Sequence, residues 1–268
     1  ICLDYSSVSV EVYDCNMTPE LVAGGQAGLR INSESDIKGV ELMVAGQGIQ
    51  IEDFILMASV ENQDIPFFGE RAFNAHCNVT NRDFSFIFHN EQILTNGIIV
   101  IYWKGDDLHI RTGYNYGWSP IGKTMTVTKM VNATRVSEID GRAATYIYRK
   151  YLGLKPEQIA AENVCELPFG VKRGDRLLAR IGLYANDPDE MLFSAPIHEG
   201  DEIQLTYGNR DIIFAESFAD AMEVMRFEPQ AITIIACLNR STLLKEDVNI
   251  EHEFYRNTLP ELMIVHGQ

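Results

Sequence analysis

Between Met125 and Gly153 the chain changes its apolar period, and that change restricts the fold more than any other feature. Met125 to Val131 and Arg135 to Ile139 alternate apolar and polar side chains, whereas Ala144, Ile147, Tyr148, Tyr151 and Leu152 recur at helical spacing. A period of two places side chains on opposite faces of a strand, and a period near 3.6 gathers them on one face of a helix. The stretch therefore predicts two paired strands and a helix meeting at Asp140-Gly141. We expect Asp140 to cap a helix starting at Arg142, Gly141 to ease the tight backbone path, and Gly153 to end the helix.

The rest of the chain repeats this mixture. Ser7 to Tyr13 alternates at Val8, Val10 and Val12 and predicts a half-buried strand. Pro19 to Arg30 begins as a helix but meets Gly24-Gly25, while Gly39 to Ala45 and Ile49 to Val60 read as strands joined by a glycine turn. Asp83 to Phe88 and Gln92 to Trp103 flank a hairpin connection at His89-Asn90-Glu91. Gly105-Asp106-Asp107 then turns the chain into a further strand over Leu108 to Tyr116. Downstream, Pro156 opens a short helix, and Arg176 to Ala185, Met191 to Ala195 and Asp201 to Tyr207 read as strands. Asp211 to Arg226 and the acidic Leu243 to Tyr255 read as helices, the unbroken apolar run Ala231 to Leu238 as a fully buried strand, and Leu262 to Val265 as the closing strand. The expected class is α+β, with two similar halves, 1–117 and 118–268, meeting at a short turn. Each half is a mixed or antiparallel sheet covered by helices, and the two pack as a layered α/β sandwich.

Charge and composition narrow the partners. The 268 residues suffice for a substantial core, and no apolar run approaches the roughly 20 residues of a membrane-spanning helix, so no membrane insertion is expected. A formal net charge of −16 disfavours a phosphate backbone, and nucleic acid is not an expected partner. The five cysteines, Cys2, Cys15, Cys77, Cys165 and Cys237, are irregularly spaced with no CxxC pair, which fits free thiols in a reducing cytoplasm. Sequons at Asn16, Asn78, Asn132 and Asn239 stand without a signal peptide to accompany them. The chain starts at Ile1, and we expect it to be a fragment of a longer protein.

Several stretches together resemble a known family. GWSPIG followed by VSEIDGRAATYIYRKYLG is similar to the start of the C-terminal half of FIST domains, and the segment from IPFFGERAFNAHC to TGYNYGW resembles the end of their N-terminal half. HEGDEIQLTYGNR, the strand end IIACLNRS and the terminal PELMIVHGQ are similar to later family strands. Where the family turn usually runs Gly-Gly-x-Ala-Gly-Asp, this chain has Gly69-Glu70-Arg71-Ala72-Phe73, which removes glycines that a backbone anion nest would use. The resemblance implies a sensory input module that is not itself an enzyme. It would be fused to, or work beside, a histidine kinase, a diguanylate cyclase or a chemotaxis receptor, and would bind a small ligand such as an amino acid or other small carboxylate. One branch of the family is described as binding haem to sense nitric oxide.

Candidate site residues follow from chemistry and from this pattern. Arg240 lies after the Ala231 to Leu238 strand, where open α/β sheets bind ligands, and its planar guanidinium suits a ligand carboxylate; a structural ion pair with an acidic neighbour is the competing reading. Arg71, in the glycine turn, is the second cation. Tyr114, Tyr116 and Trp118, at alternate positions of the expected strand, offer an aromatic face for ligand stacking or for core packing. Cys237 and Asn239 flank the same strand end, with Cys237 either a packed thiol or the nucleophile of a hydrolase-like site. For haem, the candidate axial ligands are His76, His89, His109, His198, His252 and His266, with His109 foremost because it adjoins the aromatic stripe.

Overall fold

The computed structural model describes residues 5–46, 48–72, 85–174, 176–258 and 263–267. His76, Cys77, Cys2 and the Asn78 sequon lie outside these residues. The chain divides into two compact units, Ile1–Gly113 and Tyr114–Gln268.

The first unit runs β1 (Ser7–Asp14), α1 (Glu20–Ser33), β2 (Ile37–Ala45), α2 (Ile51–Ala58), β3 (Phe67–Arg71), β4 (Ile87–His89), β5 (Gln92–Leu94) and β6 (Gly97–Lys104). Its main sheet has the order β1-β6-β2-β3, with β6 antiparallel to both neighbours and β2 parallel to β3. One sheet face presents Val40, Leu42, Val44, Ile98, Val100 and Tyr102, which share a core with Ala23, Ala27 and Ile31 of α1 and Phe54 and Ala58 of α2. The opposite face carries Ala45 and Ile99 against Ile87 and Leu94 of the β4–β5 hairpin.

Three expectations fail here. Residues 51–58 form a helix rather than a strand: Phe54 and Ala58, one turn apart, point together into the core while Leu56, which would share their face in a strand, is exposed. The Gly24-Gly25 pair does not stop α1 either. A Cβ on Gly24 would stand 2.3 Å from the Phe54 carbonyl oxygen and one on Gly28 3.0 Å from that of Met57, so the glycines allow α1 to approach the backbone of α2. Nor is Leu108 to Tyr116 a strand. Because β6 already pairs with β1 on one side and β2 on the other, the chain leaving it finds no adjacent edge to return to. Ile110 instead reaches Gly39 of β2, where a Cβ would lie 2.6 Å from its Cδ1.

The second unit contains β7 (Trp118–Asn132), β8 (Arg135–Ile139), β9 (Arg142–Ala143), α3 (Tyr146–Leu152), α4 (Ala161–Val164), β10 (Phe169–Arg173), β11 (Arg176–Arg180), β12 (Gly182–Tyr184), β13 (Met191–Phe193), β14 (Glu202–Gly208), α5 (Arg210–Met225), β15 (Ala231–Ile235), α6 (Leu238–Leu244), α7 (Val248–Thr258) and β16 (Met263–Gly267). A single-turn 3-10 helix opens at Pro156, as expected. The main sheet is antiparallel, in the order β11-β10-β14-β7-β8-β13-β12, with β9 paired to β8. Its core joins Val127, Val136, Ile139, Phe169, Met191 and Ile203 of the strands to Ile147 and Tyr148 of α3. Both units are thus α+β, sheets packed with helices, as the alternation of periods implies.

The corner at Asp140-Gly141 differs from its expectation. Both residues have positive φ, 50° and 70°, the pattern of a two-residue type I′ hairpin turn, and they join β8 to β9. The helix begins only at Tyr146. The Asp140 carboxylate faces the other way: it accepts from the Thr126 backbone N–H at 2.8 Å and pairs with Lys123, so it ties the turn to β7. Gly153 does end the helix, in the left-handed conformation.

Strand β15 is also not the fully buried strand its apolar run implies. Its residues alternate between exposed and half-buried, Ile235 retaining 38% of its surface, and among the described residues it pairs only with β16, in parallel.

Candidate functional site

Of the candidates in the second unit, Arg240 and the backbone of Tyr116 are brought together at the Arg240 guanidinium. Cys237 initiates α6, which places Arg240 on its first turn. Arg240 is buried, and every arm of its fork is engaged. Nε donates to Glu251 Oε2 at 3.0 Å, and one terminal nitrogen donates to Glu251 Oε1 and, at 2.8 Å, to Ser217 Oγ. The other terminal nitrogen donates to the carbonyl oxygens of Asn115 and Tyr116 at 3.2 and 3.3 Å. Ser217 in turn donates to Glu251 Oε1 at 2.5 Å, while Glu216 accepts from the Gly117 backbone N–H at 2.8 Å. One ion pair therefore fastens α5, α6 and α7 together and holds the Asn115 and Tyr116 carbonyls, while Glu216 holds the Gly117 amide. A planar fork with five donors can serve this many acceptors, and an ammonium cannot.

Sequence reasoning left Arg240 open between a ligand carboxylate and a structural partner; in the structure Glu251 occupies that position. Glu251, Ser217 and Glu216 were not among the candidates. They lie on α5 and α7, outside the helix that carries Arg240, and no local signal distinguishes them from the other acidic and polar residues of those helices.

The clamped carbonyls carry the aromatic residues. Tyr114 and Tyr116 precede β7 on irregular backbone, yet their rings meet edge to face at 5.4 Å between centroids. Gly117 follows at φ 71°, and Trp118 starts β7. The stripe is therefore not one face of a strand, but Tyr116 and Trp118 come together again as walls of a recess. Its other lining residues are Leu177, Thr206, Gly170 and Ala179, around about 170 Å³ of empty space open to solvent. Trp118 packs against Ile213, Leu243 and Leu244, and among the described residues its buried indole N–H has no hydrogen-bond partner. Gly208 makes room for the indole, since a Cβ there would fall 2.7 Å from Nε1.

The remaining candidates are distributed differently. Arg71, in the first unit, closes the β3 end by donating to the carbonyl oxygens of Gly46 and, at 2.9 Å, Ile49; burial lowers the pKa of its guanidinium, with Glu20 opposing. Asn239 donates to the Cys165 carbonyl oxygen at 3.0 Å. Cys237 is exposed, and among the described residues no hydrogen bond to its sulfur is present. His109 is exposed on irregular backbone beyond β6. His198 is likewise exposed, 3.0 Å from an Arg173 nitrogen. No group of three or more His, Cys, Asp or Glu with metal-site geometry occurs among the described residues, and no described helix is long and apolar enough to cross a membrane.

Comparison with known protein families matches two adjoining models. The FIST N domain covers residues 6–142 and the FIST C domain residues 144–267. The boundary between the matches falls just before α3, whereas β7 and β8, inside the first match, hydrogen-bond to β14 and β13 in the sheet of the second unit. No curated protein and no solved structure matches the chain.

Proposed function

The chain belongs to the FIST family, and from that premise we propose that it is a sensory input module whose second unit binds a small molecule, an amino acid or other small carboxylate. FIST domains are sensory modules of signalling proteins. The output would lie in a fused domain or a separate partner of the histidine kinase, diguanylate cyclase or chemotaxis receptor type.

The observation that supports ligand binding is the recess walled by Tyr116 and Trp118, next to a backbone held by Arg240. Most of its 170 Å³ is open to solvent and the enclosed part has room for about one water, so in this reading the recess takes only one end of the ligand. In this reading Tyr114, Tyr116 and Trp118 enclose the ligand. Arg240 acts as a positioning residue, because a ligand carboxylate would have to displace Glu251 to reach it. The Trp118 indole N–H is buried and has no partner among the described residues; in this reading it is the donor that a ligand carboxylate takes, without disturbing the ion pair. Cys237 and Asn239 border the α6 end of the site, and Arg71 supports the turn of its own unit.

A thermal-shift screen against amino acids and small carboxylates tests this, since a ligand that binds only the folded state raises the melting temperature. We expect a hit whose shift is lost in Tyr116→Ala and reduced in Trp118→Phe, with quenching of indole fluorescence in the wild type. A hit that stabilises both variants as much as the wild type places the ligand elsewhere.

A further inference from the structure

The strongest local departure from the chain's overall charge lies on α3 and its approach. Across the whole sequence 38 Asp and Glu face 22 Lys and Arg, yet residues 141–156 contain Arg142, Arg149, Lys150 and Lys155 and no acidic residue. In so acidic a chain a base ordinarily finds a carboxylate, as Arg135 does with Glu190 at 2.6 Å and Arg173 with Asp201 at 2.7 Å. Among the described residues Arg142, Arg149 and Lys150 make no ion pair, and all are exposed. The nearest preceding carboxylate, Asp140, is engaged by Lys123 and by the Thr126 amide, with Arg142 adding only a longer-range pull.

These cations are ordered by aromatic rings instead. The Arg142 guanidinium sits 4.6 Å from the Tyr146 ring centroid, and the Lys150 ammonium lies 5.6 Å from the same ring and 5.0 Å from that of Tyr151. Arg142, Tyr146 and Lys150 are spaced four apart and Arg149 three from Tyr146, so on the helical segment Arg149 and Lys150 flank the tyrosine. Stacking on a ring holds a cation in place without neutralising it. The core anchors this arrangement from below, since Ile147 and Tyr148 are buried and hold the exposed face outward.

We propose that the exposed surface formed by Arg142 of β9 and Tyr146, Arg149, Lys150 and Tyr151 of α3 is a docking surface for a short Asp/Glu-rich segment of a protein partner. The inference is independent of the ligand recess. Charge reach decides between a peptide and a larger polyanion. At physiological salt electrostatic influence decays over about 8 Å, so a short acidic segment seated on this face meets mainly its cations. A duplex or an anionic bilayer extends across the surrounding protein and meets the field of a molecule whose net charge is −16.

Fluorescence anisotropy with a short fluorescein-labelled Asp/Glu peptide provides the test, with its Asn/Gln counterpart, duplex DNA and phosphatidylcholine–phosphatidylserine vesicles as competitors. The expected result is binding that weakens as salt is raised and that falls about tenfold or more in the double variant Arg149→Glu/Lys150→Glu. The thermal unfolding of that variant should match the wild type, because both side chains are exposed. Exchange of the same positions as Arg149→Lys/Lys150→Arg should retain binding. Equal binding by the charge-reversed variant, equal binding of the Asn/Gln peptide, or competition by DNA or vesicles as strong as by unlabelled peptide would each overturn the proposal.

Discussion

Arg240 and Glu251 face each other with both carboxylate oxygens of the glutamate taken by the guanidinium, and their side chains keep only 9% and 12% of their surface. Removing one member leaves the other charge largely buried without its partner. Arg240→Ala should therefore destabilise the chain by about 3–5 kcal/mol in urea unfolding. Arg240→Lys should recover only part of this loss because an ammonium cannot reproduce the fork. The paired apolar exchange Arg240→Met/Glu251→Leu should be milder than Arg240→Ala alone. A loss below about 1 kcal/mol for Arg240→Ala would mean that the pair is worth no more than a surface contact.

The two adjacent glycines of α1 should respond with opposite sign. Gly24→Ala drives a methyl onto the Phe54 carbonyl and should cost about 1–3 kcal/mol, whereas Gly25, where a methyl group would meet nothing within 4 Å, should gain ~0.5–1 kcal/mol as alanine. Chemical denaturation of the two single variants distinguishes close helix packing from a mere tolerance of glycine. Equal effects would remove the packing explanation.

At the β8–β9 turn, Lys123 and the Thr126 amide hold the Asp140 carboxyl below the usual carboxylate range. A depressed folded-state pKa contributes stability at pH above the unfolded value, about 3.9, and that contribution disappears as the pH falls through the folded value. Asp140→Asn should thus lie closest to the wild type in melting temperature under acid conditions and furthest below it near neutrality. The gap should be small because Lys123 is exposed. A gap that widens on acidification would contradict the assignment. At the second turn position, Gly141→Ala should cost about 1–2 kcal/mol, since an L side chain is strained at φ 70°.

Thiol labelling should follow exposure. Cys237 is exposed, burial pushes the Cys165 thiol up, and burial followed by the charges of Glu20 and Asp14 pushes Cys15 up to about 11. In native protein iodoacetamide should modify Cys237 before Cys15 and Cys165, as read by peptide mass spectrometry. Faster labelling of Cys165 would indicate an opening at the α4 end of the fold.

What was legible in the sequence was what neighbouring residues decide among themselves. The alternation at Val8, Val10 and Val12, the paired β7 and β8, α5 and the stop at Gly153 all rest on local period or backbone preference, and all are present. The misreadings arise where a distant element decides. Helix α2 exists because Phe54 and Ala58 face α1, and residues 108–116 fail to pair because both edges of β6 are taken. Ala231 to Leu238 has the composition of a buried strand, but burial depends on what lies over it. At the candidate site the aromatic residues and Arg240 were visible as residue types. The identity of the arginine's partner was not, because Glu251 meets it only through the packing of α6 on α7.

The order β1-β6-β2-β3 has a consequence for how the first unit is made. Of these four strands β1 is made first, yet its hydrogen-bonding neighbour is β6, whose last residue is Lys104. Until that residue clears the exit tunnel, Val10 and Val12 have no sheet to join and β2 lacks its antiparallel partner. Closure of the sheet is thus a late, long-range event in synthesis, so β1 spends most of the translation of its own domain as an unpaired apolar strand, the interval in which a nascent chain most depends on chaperones.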